Sequence, residues 1–303
     1  MYMKDKHSLS FGACVMPTDM MIPPTEIAIL AEKFGLDSLF FAENSHVPIV
    51  HSKNKYHSDD IVQPFARMYD SITALSACAA VTQRILLGTG VCLLTERDPI
   101  ITAKSIASLD HLSRGRVIFG IAGGWIKEAM ENHGADFKKR WSIVKENALL
   151  IRSLWKEEKI KFNGEFSQLN GVIQQFPKPY TRGGPPIYIG SNHKKVPSRV
   201  ADYADGWMPI YDRYEGANDP ISDLKQSCKE IGRNYEEMTV LLFGAPYDQQ
   251  LLAALASEGY HGFIFLVPQE RAHNISDVFK EIASLKAQLS KHPILILNLM
   301  EFV

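Results

Sequence analysis

Cysteine is scarce in this chain: 4 among 303 residues, widely separated at Cys14, Cys78, Cys92 and Cys228. No C-x-x-C pair and no His/Cys cluster at ligand spacing occurs, which argues against a zinc module or a disulfide framework, and no metal is expected. The four read as reduced, mostly buried thiols of a cytoplasmic protein. An excess of one charge is also missing. Lys+Arg number 33 against 34 Asp+Glu, with no long block of either sign, so nothing here addresses nucleic acid or another polyanion. Long apolar runs are lacking too. The opening "MYMKDKHSLSFGACV" carries charge and no signal-peptide core, and "PILILNLMEFV" (Pro293–Val303) falls short of the roughly 20 residues of a membrane span. That last segment is compatible with a docking tail, a late strand or a frayed end. No low-complexity segment and no dinucleotide fingerprint G-x-G-x-x-G appear; "GIAGGW" has the wrong spacing.

What is present is a 46% hydrophobic chain with ample material for a large core. Short apolar runs alternate with helical patterns. Strands are expected at Leu9–Val15, Asp37–Glu43, Arg84–Leu94, Gly115–Ala122, Ile187–Gly190, in "GWMPI", in "TVLLFGA" and in "GFIFLV". Between them, "PTEIAILAEKFG" reads as a helix with Thr25 as N-cap and Gly35 as its stop, and "DPIITAKSIASLDHLS" as one opened by Asp98 and Pro99. Further helices are expected around Met68–Val81, Arg140–Lys156 and Pro220–Ile231, in "KKVPSRVADYA" and in two C-terminal segments, with a polar loop over His46–Gln63. "NG" at Asn163–Gly164 marks a β-hairpin insertion around residues 158–176.

The strands are apolar throughout rather than alternating, as suits a parallel sheet covered on both faces. Roughly eight right-handed βα units close into an α/β fold of the (β/α)8 TIM-barrel type, in one domain over residues 1–303. A doubly wound open sheet would want glycines in its first βα turn, where this chain has "CVMPTDMM". In a barrel, chemistry gathers at strand C-termini. Those ends are "MPTD", "AENSHVP", "TGVCLLTERD", "AGGWIKE", "GSNHKK" and "MPIYDR", rich in glycine, aromatics and small polar groups and without an evident acid–base pair. Such a composition suits a flat cofactor that brings its own reactivity. The loop Gly190–Ser191–Asn192, followed by Lys194 and Lys195 at a helix start, reads as an anion seat or as an ordinary cap with solvated lysines.

Several stretches in order carry a resemblance: "AEKFGLDSLFFAENSHVP", "RILLGTGVCLLTERDPIITAKSIASLDHLSRGRVIFGIAGGW", "GADFKKRW", "FNGEF", and "PPIYIGSN" leading to "ADYADGWMP". From about residue 8 to about 212 the chain resembles the luciferase-like monooxygenase superfamily, in its coenzyme F420-dependent branch. The resemblance implies a deazaflavin at the strand C-termini, with FMN as the alternative, hydride chemistry on a small organic substrate, and a homodimer; no membrane partner is expected. It implies cofactor contacts at Glu43, Asn44, Gly90, Val91, Gly123 and Gly124, with Gly90–Val91 at the place of the family's frequent non-prolyl cis peptide. "DHLSRGR" is read as a structural landmark, and Arg140 with Glu146 as a helix-positioning pair.

Three departures matter. The FMN-phosphate arginine of luciferases aligns with Gly123 here, which favours the deazaflavin. A histidine and a glutamate of the F420-dependent sugar-phosphate dehydrogenases align with Asn44 and Trp125, which argues against sugar-phosphate oxidation. Asn44 hydrogen-bonds but does not titrate near neutrality, so His46 becomes the candidate proton handler beside it, against a merely solvated role. Met16, Phe41, Trp125 and Trp207 are expected to wall the substrate cavity, although core packing serves the two tryptophans equally well. The expected activity is hydride transfer between F420 and an organic substrate. The alternatives are a two-component FMN monooxygenase using O₂ and a non-catalytic flavin-binding barrel.

Overall fold

The computed structural model describes residues 9–49 and 62–290. The tail "PILILNLMEFV" and most of the expected polar loop lie outside them. Nine strand segments form one sheet: β1 (Ser10–Val15), β2 (Ser38–Phe41), β3 (Leu86–Thr89), β4 (Cys92–Leu93), β5 (Val117–Ala122), β6 (Ile187–Ile189), β7 (Gly206–Trp207), β8 (Thr239–Phe243) and β9 (Gly262–Leu266). Every pairing between them is parallel. β3 pairs with β2 and β5, and β9 joins β8 to β1, so the sheet closes. β3 and β4 are one stave of the barrel, interrupted at Gly90–Val91, whose peptide bond is cis. The result is a (β/α)8 barrel.

Helices α1 (Pro24–Lys33), α2 (Val62–Ala66), α3 (Ser71–Val81), α4 (Pro99–Ser113), α5 (Lys127–Asn132), α6 (Arg140–Lys156), α7 (Val196–Tyr203), α8 (Pro220–Glu230), α9 (Gln249–Glu258) and α10 (Ile275–Leu289) complete the units. Local chemistry sets their ends. Asp98 caps α4, its carboxylate accepting Ile101 N–H at 2.7 Å, with Pro99 in the first turn. Thr25 is not the cap of α1. The helix starts earlier, at Pro24, behind Pro23 as an N-cap that makes no side-chain hydrogen bond. The expected hairpin is two isolated antiparallel bridges, Ile160 to Ile173 and Asn163 to Gln168, rather than a ladder.

Alternation along each strand divides the core in two. Cys14, Phe40, Ile118, Tyr188, Met208, Leu241 and Ile264 fill the barrel interior. Leu39, Phe41, Phe119, Ile121, Trp207 and Phe263 point the other way, into the layer beneath the helices. Phe119 is fully buried there against Trp155, ring centroids 5.8 Å apart. Truncating such a ring costs about 3–5 kcal/mol. On the N-terminal side, Asp110 accepts Thr181 N–H at 2.7 Å, and Arg116 donates to the carbonyls of Ala79, Thr82, Ile85 and Ser113. "DHLSRGR" thus ties helices to strand starts and lies away from the strand ends.

Candidate active site

Met16, Asn44, His46 and Trp125 follow the C-terminal ends of β1, β2 and β5, and parallel closure puts them on one rim of the barrel. Asn44 follows β2 at a position of inward-facing parity. It is 7% exposed, and its Oδ1 is buried with no hydrogen-bond partner. An unmatched buried acceptor costs about 1–3 kcal/mol, so it points to a donor arriving from outside the chain. Met16 and Trp125 are half-buried, and the Trp125 ring lies 5.3 Å from that of Phe65 on α2. This gives the mouth an apolar flank.

Two of the expected wall residues lie elsewhere. Phe41 and Trp207 are both 0% exposed in the outer layer, and Trp207 Nε1 donates to Ser191 O at 2.9 Å. Strands apolar on both faces give no sign of which residue faces inward. Glu43 also turns away from the mouth. Arg97 binds both of its oxygens at 2.8 Å, Leu93 N–H donates to Oε1 at 3.0 Å, and Ser71 donates to Oε2. Its acceptor sites are committed to joining β2, β4 and α3. Glu43 and Asp70 hold Arg97 above the ordinary arginine range despite the opposing effect of burial. Asp70, although burial works against its charge, is held below the usual carboxylate range by Arg97 and the Thr73 N–H.

The glycines define close approaches. Gly124 has φ +74°, and a Cβ there would lie 3.2 Å from Glu96 Oε1. A Cβ on Gly190 would strike Val91 at 2.6 Å, so the β6 end seats directly on the interrupted stave. Asn192 pins the same loop, Oδ1 accepting Ile210 N–H at 2.7 Å.

Arg140 and Glu146 do not pair. Arg140 packs beside Gly123 and donates to Phe137 O at 2.8 Å, whereas Glu146 receives three amides of the hairpin turn. Arg199 lies over Trp141, 4.2 Å from the ring centroid. Its Nη1 is buried and unpartnered, and neither arginine has a carboxylate partner among the described residues. Burial lowers both below the ordinary arginine range, and the charge of Arg140 lowers Arg199 further. His193, beside them, is lowered by burial and by Arg199. These two guanidiniums have no carboxylate partner among the described residues, whereas Lys194 and Lys195 are exposed.

The acid–base groups that motif spacing did not reveal are Ser45, Glu96 and His133. Ser45 Oγ donates to Glu96 Oε2 at 2.7 Å and lies 2.9 Å from His46 Nδ1 and 3.1 Å from His133 Nε2. Glu96 is 5% exposed. Burial pushes its carboxyl above the ordinary value, while the Ser45 hydrogen bond and the charge of His133 pull the other way.

The C-terminal rim of the barrel thus gathers a buried unmatched amide, two arginines without carboxylate partners and the Ser45–Glu96–His133 cluster. Residues 24–291 match the model of the luciferase-like monooxygenase family, and the chain belongs to that family. The match extends well past residue 212, where the motif resemblance stopped. An uncharacterized protein of Mycobacterium tuberculosis is 30% identical over 279 residues, covering 91% of this chain and 98% of the relative. The F420-dependent glucose-6-phosphate dehydrogenase of Mycolicibacterium fortuitum is 28% identical over 261 residues, covering 83% and 72%. Among solved structures, the coenzyme F420-dependent tetrahydromethanopterin reductase of Methanopyrus kandleri superposes with a TM-score of 0.65 at 19% identity, covering 90% of this chain and 98% of that one. The FMN complex of the oxygenating constituent of 3,6-diketocamphane monooxygenase from Pseudomonas putida gives 0.59 at 16% identity, covering 83% and 72%. Those two likenesses speak to the fold. The protein is an enzyme of oxidation and reduction. Among the described residues, no helix is long and apolar enough to cross a membrane.

Proposed function

We propose that the protein is an F420-dependent oxidoreductase that moves a hydride between the deazaflavin and an uncharged organic substrate. One observation carries the choice of cofactor. The relative with a named activity at 28% identity over 261 residues uses F420, whereas the FMN-containing barrel is matched in fold alone. The bound deazaflavin would supply the hydride-accepting and hydride-donating carbon. The chain supplies the rest. Asn44 Oδ1 offers an acceptor to the ring or to the substrate, and Gly124 leaves space at the β5 end. Arg140 and Arg199 would neutralise the cofactor phosphate. Met16 and Trp125 favour an apolar substrate over a sugar phosphate, and Asn44 and Trp125 stand where the sugar-phosphate enzymes carry a histidine and a glutamate.

Arg140 also supports a second reading. It lies beside Gly123, where the luciferases carry their FMN-phosphate arginine, and so offers FMN a substitute contact. Titration of the purified apo-protein with F420 and, separately, with FMN separates the two by absorbance and fluorescence quenching. The expected result is a Kd for F420 near 1–10 μM, about 7–8 kcal/mol, with FMN at least tenfold weaker. The reverse preference overturns the F420 reading and makes O₂ consumption the next assay.

A further inference from the structure

Hydride transfer leaves a proton unaccounted for. Oxidising a carbon that bears a hydroxyl removes a hydride from that carbon and a proton from the oxygen; the reduction returns both. With Asn44 unable to titrate near neutrality, the mouth needs another group for that proton. We propose that Glu96, Ser45 and His133 form a proton relay from the buried mouth to solvent, with His46 as its fixed positioning residue. This rests on the reading of the enzyme as a hydride-transfer oxidoreductase.

The hydrogen bonds set the directions. A serine hydroxyl donates once and accepts twice. Ser45 donates to Glu96 at 2.7 Å, so both histidines donate to Ser45 Oγ in the resting arrangement. Asn132 Nδ2 lies 2.8 Å from His46 Nε2, which makes that nitrogen the acceptor and puts the His46 proton on Nδ1. His133 has no such clamp on its ring among the described residues, and it is exposed. It can therefore change tautomer and exchange with water.

One proton then moves by reversal of the chain. Glu96 takes the substrate proton at the oxygen facing Gly124. The carboxyl then turns its O–H toward Ser45 and, with the His133 proton shifted to Nδ1, passes its proton to Ser45 Oγ as Ser45 gives its own to His133 Nε2, leaving a carboxylate and an imidazolium. His133 releases the proton to solvent. The charges facing this relay are few. Glu43, on the β2 end, shares Arg97 with Asp70, and its charge adds to the upward push on Glu96. On α5, Lys127 pairs with Glu131 at 3.5 Å. Glu128, also on α5, is half-buried, and Glu96 is the carboxylate hydrogen-bonded into the Ser45 cluster and felt by both imidazoles.

Imidazole NMR titration of the full chain without cofactor tests the relay. His46 and His133 signals are assigned by their loss in His46→Gln and His133→Gln. In the wild type, both histidines should show a shared inflection as Glu96 titrates. Glu96→Gln should remove that inflection from both signals. Ser45→Ala should uncouple the histidines and Ser45→Thr should restore the coupling, with amide spectra confirming the fold of each variant. Superimposable wild-type, Ser45→Ala and Glu96→Gln curves overturn the relay. F420 titration of the same samples is read separately: failure of the wild type to bind overturns the cofactor assignment and leaves the histidine coupling to be judged by itself.

Discussion

At the scale of the residue, this site keeps groups that do not stabilise the fold. The Glu96 carboxyl sits above its ordinary value because burial disfavours its charge. A group shifted in that direction favours the folded state fully below the unfolded value, about pH 4.3, and the contribution is lost as pH rises through the folded value. At pH 7 the buried carboxylate is therefore a cost. Glu96→Gln keeps an oxygen for Ser45 to donate to and removes the charge. Its melting temperature at pH 7 is expected to be no lower than that of the wild type, and its stability should change less as pH rises from about 4 to 7. Thermal melts at those pH values check this. A fall of several degrees at pH 7 would make Glu96 a structural residue instead. Glu43 is the contrast: a carboxylate of similar burial whose oxygens are all answered by Arg97, Ser71 and a backbone amide.

At the scale of the element, the hairpin is the weakest piece and Glu146 holds it. Two isolated bridges cannot sustain a hairpin alone. The Glu146 carboxylate on α6 accepts Glu165, Phe166 and Ser167 N–H at 2.8, 2.7 and 2.6 Å. Hydrogen bonds to a charged group contribute about 1.5–3 kcal/mol. In Glu146→Ala, exchange of these three amides should accelerate at least tenfold while the amides of α4 and β5 keep their protection; hydrogen-exchange mass spectrometry reads both. The elements themselves were largely legible in the sequence. Strands covered on both faces are continuous apolar runs, and Asp98–Pro99 and Gly35 mark helix ends chemically. α5 is not legible, because its six residues, lying between Trp125 and Gly134, give too little period to see. The inward face of each strand is not legible either, since a run apolar at every position does not distinguish the outward Phe41 and Trp207 from inward neighbours. The acid–base cluster was hidden by distance along the chain. Ser45 and Glu96 are 51 residues apart, and Ser45 and His133 are 88 apart, so only barrel closure brings them together.

At the scale of the molecule, the cofactor should be part of the enzyme's stability. A barrel that leaves Asn44 Oδ1 and Arg199 Nη1 buried and unmatched is held below the stability its core allows. A ligand that binds only the folded chain adds RT ln(1 + [L]/Kd), about 2.7 kcal/mol at a hundredfold excess over Kd. In a chain of 303 residues that corresponds to a rise of about 4 °C in melting temperature. F420 is expected to produce this rise and FMN, at the same concentration, a smaller one. Arg199→Met separates the anion seat from the rest of the site. Losing one charge-assisted hydrogen bond weakens F420 binding about 10–100-fold, so at the same concentration the stabilisation falls to about 0.4–1.4 kcal/mol. Without cofactor, the variant should melt no more than a degree or two below the wild type. It loses a stack over Trp141 worth about 0.5–1 kcal/mol and also sheds an unmatched donor. Equal F420-induced shifts in the wild type and Arg199→Met would remove Arg199 from the cofactor site and leave Arg140 as the phosphate's partner.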